Sequence, residues 1–307
     1  MKVGISLPQL GPHASPDSLT RVAHRAEELG YDSAWVLERL LWPLSPKEPY
    51  PASPDGRLPE TYSIVFDPIE TLTFVAAHTK KIQLGTSVLV LPYHTPIQLA
   101  RRIATLDVLS NGRALVGAGV GWSHDEFEAA GTPFERRGAR CDEFLRAMID
   151  LWTKDPVGFD GEFYHIPESK IGPKPVQKPH PPIYVAGFGQ YTFDRAARIG
   201  AGWNPAGIMS FEGLEGMIKQ YRQTMERAGW GTSEVVLRAF TVLLDKPLDG
   251  NRSPMTGSLD QLREDVAKLR HMGVTHLIQS PAAMGFDPRN TVDDMLVLVE
   301  KLMTISK

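Results

Sequence analysis

Residues 117–127 read GAGVGWSHDEF, a glycine-rich turn between an apolar run and a helical-looking segment. That setting invites a dinucleotide-binding reading, which needs G-x-G-x-x-G so that the third glycine lets the helix pack close to its strand. Counted from Gly117 the third position is Trp122, and counted from Gly119 it is His124. Neither frame fits. The glycines need another explanation, and the rest of the chain has to supply the fold.

Outward from that turn, short β-branched runs alternate with longer segments of helical period. Strands are expected at 3–7, 33–37, 82–89, 114–118, 183–186, around Trp203, 235–244 and 276–279. Helices are expected at 18–29, 68–79, 96–109, 137–152, 192–199, 213–228, 259–272 and 292–303. Gly30, Gly200 and Gly273 each close a helix and open a strand, in ELGYDSAWVLE, RIGAGWNPA and HMGVTHLIQS. Such an echo is what repeated βα units produce. Eight of them favour a closed (β/α)8 barrel, the TIM barrel of the α/β class, over an open doubly wound sheet. The open sheet would carry its nucleotide loop after the first strand, where the chain reads SLPQLGPHASPDS and has no phosphate-binding loop. A barrel of this kind accommodates residues 1–307 as one domain.

Two connections exceed simple turns. Residues 39–66 follow strand two, hold six prolines and are expected to form a wall or lid over the active-site face. Residues 154–181 precede strand five as an insertion that either packs along the barrel side or reaches over the top.

Hydrophobic residues make up 42% and charged residues 22%, ordinary proportions for a chain with ample core material. A net charge of −3 without a basic cluster gives no attraction to nucleic acid or anionic membranes, so a small molecule is the expected partner. The start MKVGISLP has no leader pattern and the aliphatic runs are short, so a cytoplasmic location away from the membrane is expected. Cys141 is the single cysteine, which excludes internal disulfides and leaves a small packed side chain as its ordinary role. Nine scattered histidines show no His-x-His in strand one and no i, i+4 helical pair, so no metal site is expected. Nor is there a G-x-S-x-G nucleophile elbow.

The blocks VGISLP, AEELGYDSAWV, IQLGTSVLVLPYHTPIQLARRIATLDVLSNGRALVGAGVGWSHDEFEAAG, PKPVQKPHPPIYVAG, AARIGAGW and TGSLDQLREDVAKLRHMGVTHLI occur in this order. Together they resemble the bacterial luciferase-like monooxygenase superfamily, most closely its coenzyme F420-dependent oxidoreductase branch. The resemblance implies a (β/α)8 barrel with an insertion before strand five, a flavin or 5-deazaflavin at the C-terminal mouth, and a homodimer formed through outer-ring helices.

Residue roles follow from the motifs. The resemblance implies a non-prolyl cis peptide at Ser87–Val88, in the segment Ser87–Val88–Leu89, that supports the tricyclic ring; the ordinary reading of these residues is a plain strand. Gly119 and Gly121 leave room for a flat ring, and Trp122 walls the pocket. Ala186, Gly187, Phe188, Gly189 and Gln190 open a helix, where free amides favour an anion, and the resemblance places the cofactor phosphate there. Strand two ends in Glu38-Arg39, where the family commonly has an acid followed by His. Glu38 retains the acid and is the expected ionisable group near the chemistry, with a charge pair to an arginine as its ordinary role. His124 is a second proton-transfer candidate, with a surface capping role as the alternative; for Glu126 a helix-start charge is the expected role.

In the luciferase branch a cation inside the strand-four motif meets the flavin phosphate, and the matching residue here is Val120. The resemblance therefore implies hydride transfer between F420 and an unidentified small organic substrate. The alternatives are an FMN-dependent monooxygenase and a non-catalytic cofactor carrier.

Overall fold

Each expected strand and helix forms in a computed structural model that describes residues 1–53, 55–208, 210–231, 233–281 and 291–306. The first half runs β1 (Lys2–Ser6), α1 (Pro16–Leu29), β2 (Ser33–Val36), α2 (Pro68–His78), β3 (Gln83–Thr86), β4 (Leu89–Val90), α3 (Pro96–Leu109), β5 (Ala114–Gly119), α4 (His124–Ala129) and α5 (Arg137–Thr153). The second runs β6 (Val157–Asp160), β7 (His165–Ser169), β8 (Ile183–Ala186), α6 (Gln190–Ile199), β9 (Gly202–Asn204), α7 (Phe211–Arg227), β10 (Val236–Phe240), β11 (Val242–Leu243), β12 (Thr256–Gly257), α8 (Leu259–Met272), β13 (His276–Ser280) and α9 (Val292–Thr304).

Local chemistry explains where the helices start and stop. Ser15 and Ser258 form capping boxes with Ser18 and Gln261, and Pro16 stands in the first turn of α1. Gly30, Gly200 and Gly273 end α1, α6 and α8 with φ of 87°, 65° and 91°, the left-handed region that stops a helix.

The parallel strands lie in the order β10-β13-β1-β2-β3-β5-β8-β9. Parallel bridges Trp203↔Val235 and Ala206↔Arg238 bring the last strand back to the first. This is a (β/α)8 barrel, and the main core lies between its sheet and the helices. A second cluster of Trp35, Leu115, Tyr184, Val236 and Ile278 fills the inside. Trp35 needs Gly85 beside it, since a Cβ there would stand 2.3 Å from the indole.

At the inner wall Ser33 Oγ accepts from Trp35 Nε1 (2.6 Å) and pairs with His276 Nε2 (2.7 Å). Burial, then the nearby Lys2 and N-terminal amine, lowers His276 from 6.5 to about 3. Between those values the unfolded chain takes up a proton that the folded chain refuses, so stability falls as pH drops through that window. From pH 6.5 to pH 5, wild type is expected to lose about 2 kcal/mol more than His276→Gln in urea titrations. Equal losses would show that His276 accepts the proton in place.

The insertion packs along the barrel side. Its antiparallel hairpin, β6 with β7, is tied to α5 by the Glu143 carboxylate, which accepts from the backbone amides of Glu162, Phe163 and Tyr164 at 2.9, 2.7 and 2.8 Å. Its exit is held by buried Asp107, which accepts from the amides of Val176 (2.8 Å) and Gln177 (3.0 Å). Cys141 is buried beneath, and burial pushes its thiol up to about 12.

Candidate active site

The third barrel strand breaks between β3 and β4. Thr86 bridges the gap in the ladder, its hydroxyl accepting from Gly117 N (3.0 Å) and donating to Gly117 O (3.2 Å). The Ser87–Val88 peptide that follows is cis. Ser87 Oγ donates to Asn204 Oδ1 (2.9 Å), and the Ser87 carbonyl accepts from Arg238 Nη1 (3.0 Å). Arg238 Nε also reaches Ser280 Oγ (3.2 Å). The ends of β3, β9, β10 and β13 are thus joined across the mouth. Leu89 points away into the main core.

The glycines of the opening motif make room for protein as well. A Cβ at Gly119 would stand 2.8 Å from Val88 Cγ2, and one at Gly121 2.7 Å from Val90 Cγ1. They let the broken strand lie close against β5. Trp122 stands at the rim, its ring 5.6 Å from that of Tyr50 and 4.8 Å from the Arg39 guanidinium carbon.

Residues 39–53 and 55–66 cover this rim, where the sequence led one to expect a wall or lid. Trp42 Nε1 donates to Leu58 O (3.1 Å), and Tyr50 lies 6.0 Å from Tyr62. Burial, then Tyr62, raises the Tyr50 phenol, while Arg238 and Arg39 pull it the other way. Lys47 donates from its amide to Asp125 (3.0 Å) and from its ammonium to Glu128, and Glu48 pairs with His124.

That pairing defines where His124 goes. Its ring stacks on Phe134 with centroids 3.5 Å apart and fastens the lid to α4, at the outer rim. Glu38 is deeply buried, and its oxygens are engaged by Val90 N (2.6 Å) and His94 Nε2 (2.7 Å). The side chains beside the hollow under the lid instead include Arg39, Glu48, Tyr50, Trp122 and Asp125. Arg238 and Asn204 were not singled out from the sequence. Arg238 could have been, as a charge in the otherwise apolar run VVLRAF of a buried strand.

The turn after β8 is open. Gly187 and Gly189 have φ of 124° and 81°, no side chain caps α6, and nothing stands within 4 Å of a Cβ built at Gly189. Its first-turn amides are therefore accessible to a phosphate, which fits a phosphorylated cofactor. Trp203 Nε1 braces the turn by donating to Gly187 O (2.8 Å). The Gln190 side chain bonds to Asp194, Thr224 and Gln220, leaving its backbone amide for a ligand. Among the described residues no group of three or more His, Cys, Asp or Glu is placed to hold a metal, and no helix is long and apolar enough to cross a membrane.

Comparison with known proteins bears on this mouth. An uncharacterised protein of Mycobacterium tuberculosis is 40% identical over 183 residues, 59% of this chain and 64% of the relative. The F420-dependent glucose-6-phosphate dehydrogenase of Amycolatopsis mediterranei is 34% identical over 210 residues, 66% of this chain and 56% of that protein. The FMNH(2)-dependent dimethylsulfone monooxygenase of Pseudomonas putida is 31% identical over 172 residues, 55% and 47%. The matched stretches span under two thirds of each of these relatives. In fold, a monooxygenase from Streptomyces bottropensis superposes with a TM-score of 0.79 at 24% identity over 99% of both chains. The family model described as luciferase-like monooxygenase matches residues 1–252. With the barrel and its mouth in place, that match over most of the length makes this chain a member of the luciferase-like monooxygenase family.

Proposed function

We propose that the chain is an oxidoreductase that moves a hydride between coenzyme F420, a 5-deazaflavin, and a small organic substrate at the barrel mouth. The observation that carries the choice of cofactor is Val120. This half-buried aliphatic residue packs against the core where FMN-dependent members of the family commonly have a cation for the flavin phosphate. The open turn at 186–190 supports a phosphate there through backbone amides alone.

When bound, the deazaflavin supplies the hydride chemistry. The chain's own part is to hold and enclose. Gly187 to Gln190 offer amides to the phosphate, Ser87 and Val88 form the floor behind the ring, and Arg238 with Asn204 fix that floor. Trp122 and the lid exclude water from the reacting faces. In this reading Glu38 is a positioning residue that ties strand two to the turn at Val90, and His124 keeps the lid down.

FMN-dependent oxygenation is the second reading, favoured by the likeness to the Pseudomonas putida monooxygenase. Titration of the purified chain with each cofactor separates the two: tight FMN binding with no F420 binding overturns the preferred assignment. Turnover of an acceptor panel under reduced F420 separates an enzyme from a carrier. The phosphate turn has its own test in Phe188→Asp. Phe188 is 53% exposed, so the change is expected to leave thermal unfolding of the free chain unaltered. It sets a negative charge beside the phosphate amides and is expected to weaken cofactor binding about tenfold or more. Unaltered affinity would place the phosphate elsewhere.

A further inference from the structure

The lid is fastened in two unlike ways. At its base Arg39 pairs with Glu126, their side chains 7% and 3% exposed, and Leu40 N donates to Glu126 Oε1 (2.7 Å). The returning leg is seated by apolar packing: Tyr62 joins Leu10 and Leu37 in a buried cluster, with Trp42 and Leu58 against it. Breaking a buried pair or emptying such a cluster is expensive, so the base stays in place.

The tip, residues 43–53 and 55–57, is held to α4 by charges that face water. Lys47 pairs with Glu128, their side chains 52% and 71% exposed, and Glu48 pairs with His124. Lys47 N donates to Asp125 (3.0 Å), and His124 N donates in the other direction, to Glu48 (3.1 Å). Exposed pairs of this kind contribute little each and are screened by salt. Tyr50 reaches inward onto Tyr62 and Trp122, so a lift also parts one ring from two. Within itself the tip is tighter: Tyr50 N donates to Gly56 O (2.7 Å) and Gly56 N to Ser53 O (3.1 Å), while Pro43, Pro46, Pro49 and Pro51 restrict the backbone. It is built to move as one body. The hollow beneath it, beside Arg39, Leu58 and Trp122, encloses about 10 Å³, room for one water molecule. Nothing larger enters that hollow while the tip is down.

We infer that the tip is a flap, which lifts from α4 as a unit while the base stays seated, and that the Lys47 and Glu48 contacts set how often it opens. The inference deepens the proposed function by giving that site a gate, and it rests on that reading only for what the gate admits.

Amide exchange resolved residue by residue on the purified chain, at one fixed pH, tests it. The amides of Lys47 and His124 lie on opposite sides of the contact, so one lift frees both. After correction for intrinsic rates their protection is expected to agree within about twofold, and that of Leu40 at the base to be about tenfold higher or more. Lys47→Met is expected to lower protection at His124 about threefold and to leave Leu40 as it was. Glu128→Gln is expected to do the same, and the two changes together no more than either alone, as for two groups acting through one pair. Unequal protection at Lys47 and His124, a Leu40 amide as labile as theirs, no response to Lys47→Met, or fully additive effects of the two changes each overturns the inference. Wild type decides the first two of these, so the test stands if a variant does not fold. Stopped-flow association of F420 is expected to quicken about threefold in Lys47→Met, although the lost positive charge by itself slows an anion. Association unchanged while protection falls overturns the flap as a gate. Failure of F420 to bind tells against the proposed cofactor, and the exchange pattern then decides the flap by itself.

Discussion

Gly117→Ala is expected to cost about 3 kcal/mol of stability, the upper range for forcing a methyl into packed structure. Its Cβ would stand 2.0 Å from the Thr86 carbonyl oxygen and 3.1 Å from Val88 Cγ1. The first obstacle is backbone, and that backbone leads directly into Ser87–Val88, so no side-chain rotation relieves the clash. The Thr86 hydroxyl would also be pushed from its two bonds to Gly117. Gly216→Ala is the control. It lies on the exposed face of α7 with nothing within 4 Å of the new methyl, and is expected to be neutral or to stabilise by up to about 1 kcal/mol. Matched urea midpoints for the two variants would refute the close approach at Gly117.

Asp265→Asn is expected to be worse, at about 3 to 5 kcal/mol. Asp265 is fully buried, receives Arg252 through Nη1 (2.5 Å) and Nη2 (2.8 Å), and accepts from Met255 N (2.8 Å). Neutralising it leaves the Arg252 guanidinium, 12% exposed, without its counter-charge. Arg252→Met combined with Asp265→Leu removes both charges and is expected to be less damaging than the single change. Denaturant titration of the three proteins checks the order, and a double variant below the single one would contradict it.

The barrel was legible because its signals are periodic and local. Helix caps and stopping glycines act within a few residues, and eight repeats reinforce one another. The cis peptide at Ser87–Val88 was legible only through the resemblance, since the residues themselves read as a plain strand. Side-chain destinations were less legible, because distant segments set them. Glu38 stands at the right strand end, but His94 and Val90, more than fifty positions on, engage its carboxylate. His124 is turned to the lid by Glu48, which nothing near it in the chain foretells. Arg39 was noticed as a departure from the family pattern, whereas its ion pair with Glu126, more than eighty positions on, is set by the fold. The hairpin of β6 and β7 escaped notice for a similar reason: its residues, VGFD and HIPES, alternate too weakly to announce strands.

That hairpin has a bearing on how the chain can change. Glu143 holds it through three main-chain N–H groups and reads none of the side chains at 162–164. The tether is blind to identity. Any residue other than proline keeps that amide tether, while the side chains add contacts of their own: Glu162 pairs with Arg136, Phe163 lies under Arg136 and Arg140, and Tyr164 packs edge-on against Phe144. The path of the main chain along this flank is thereby set separately from the side chains it displays.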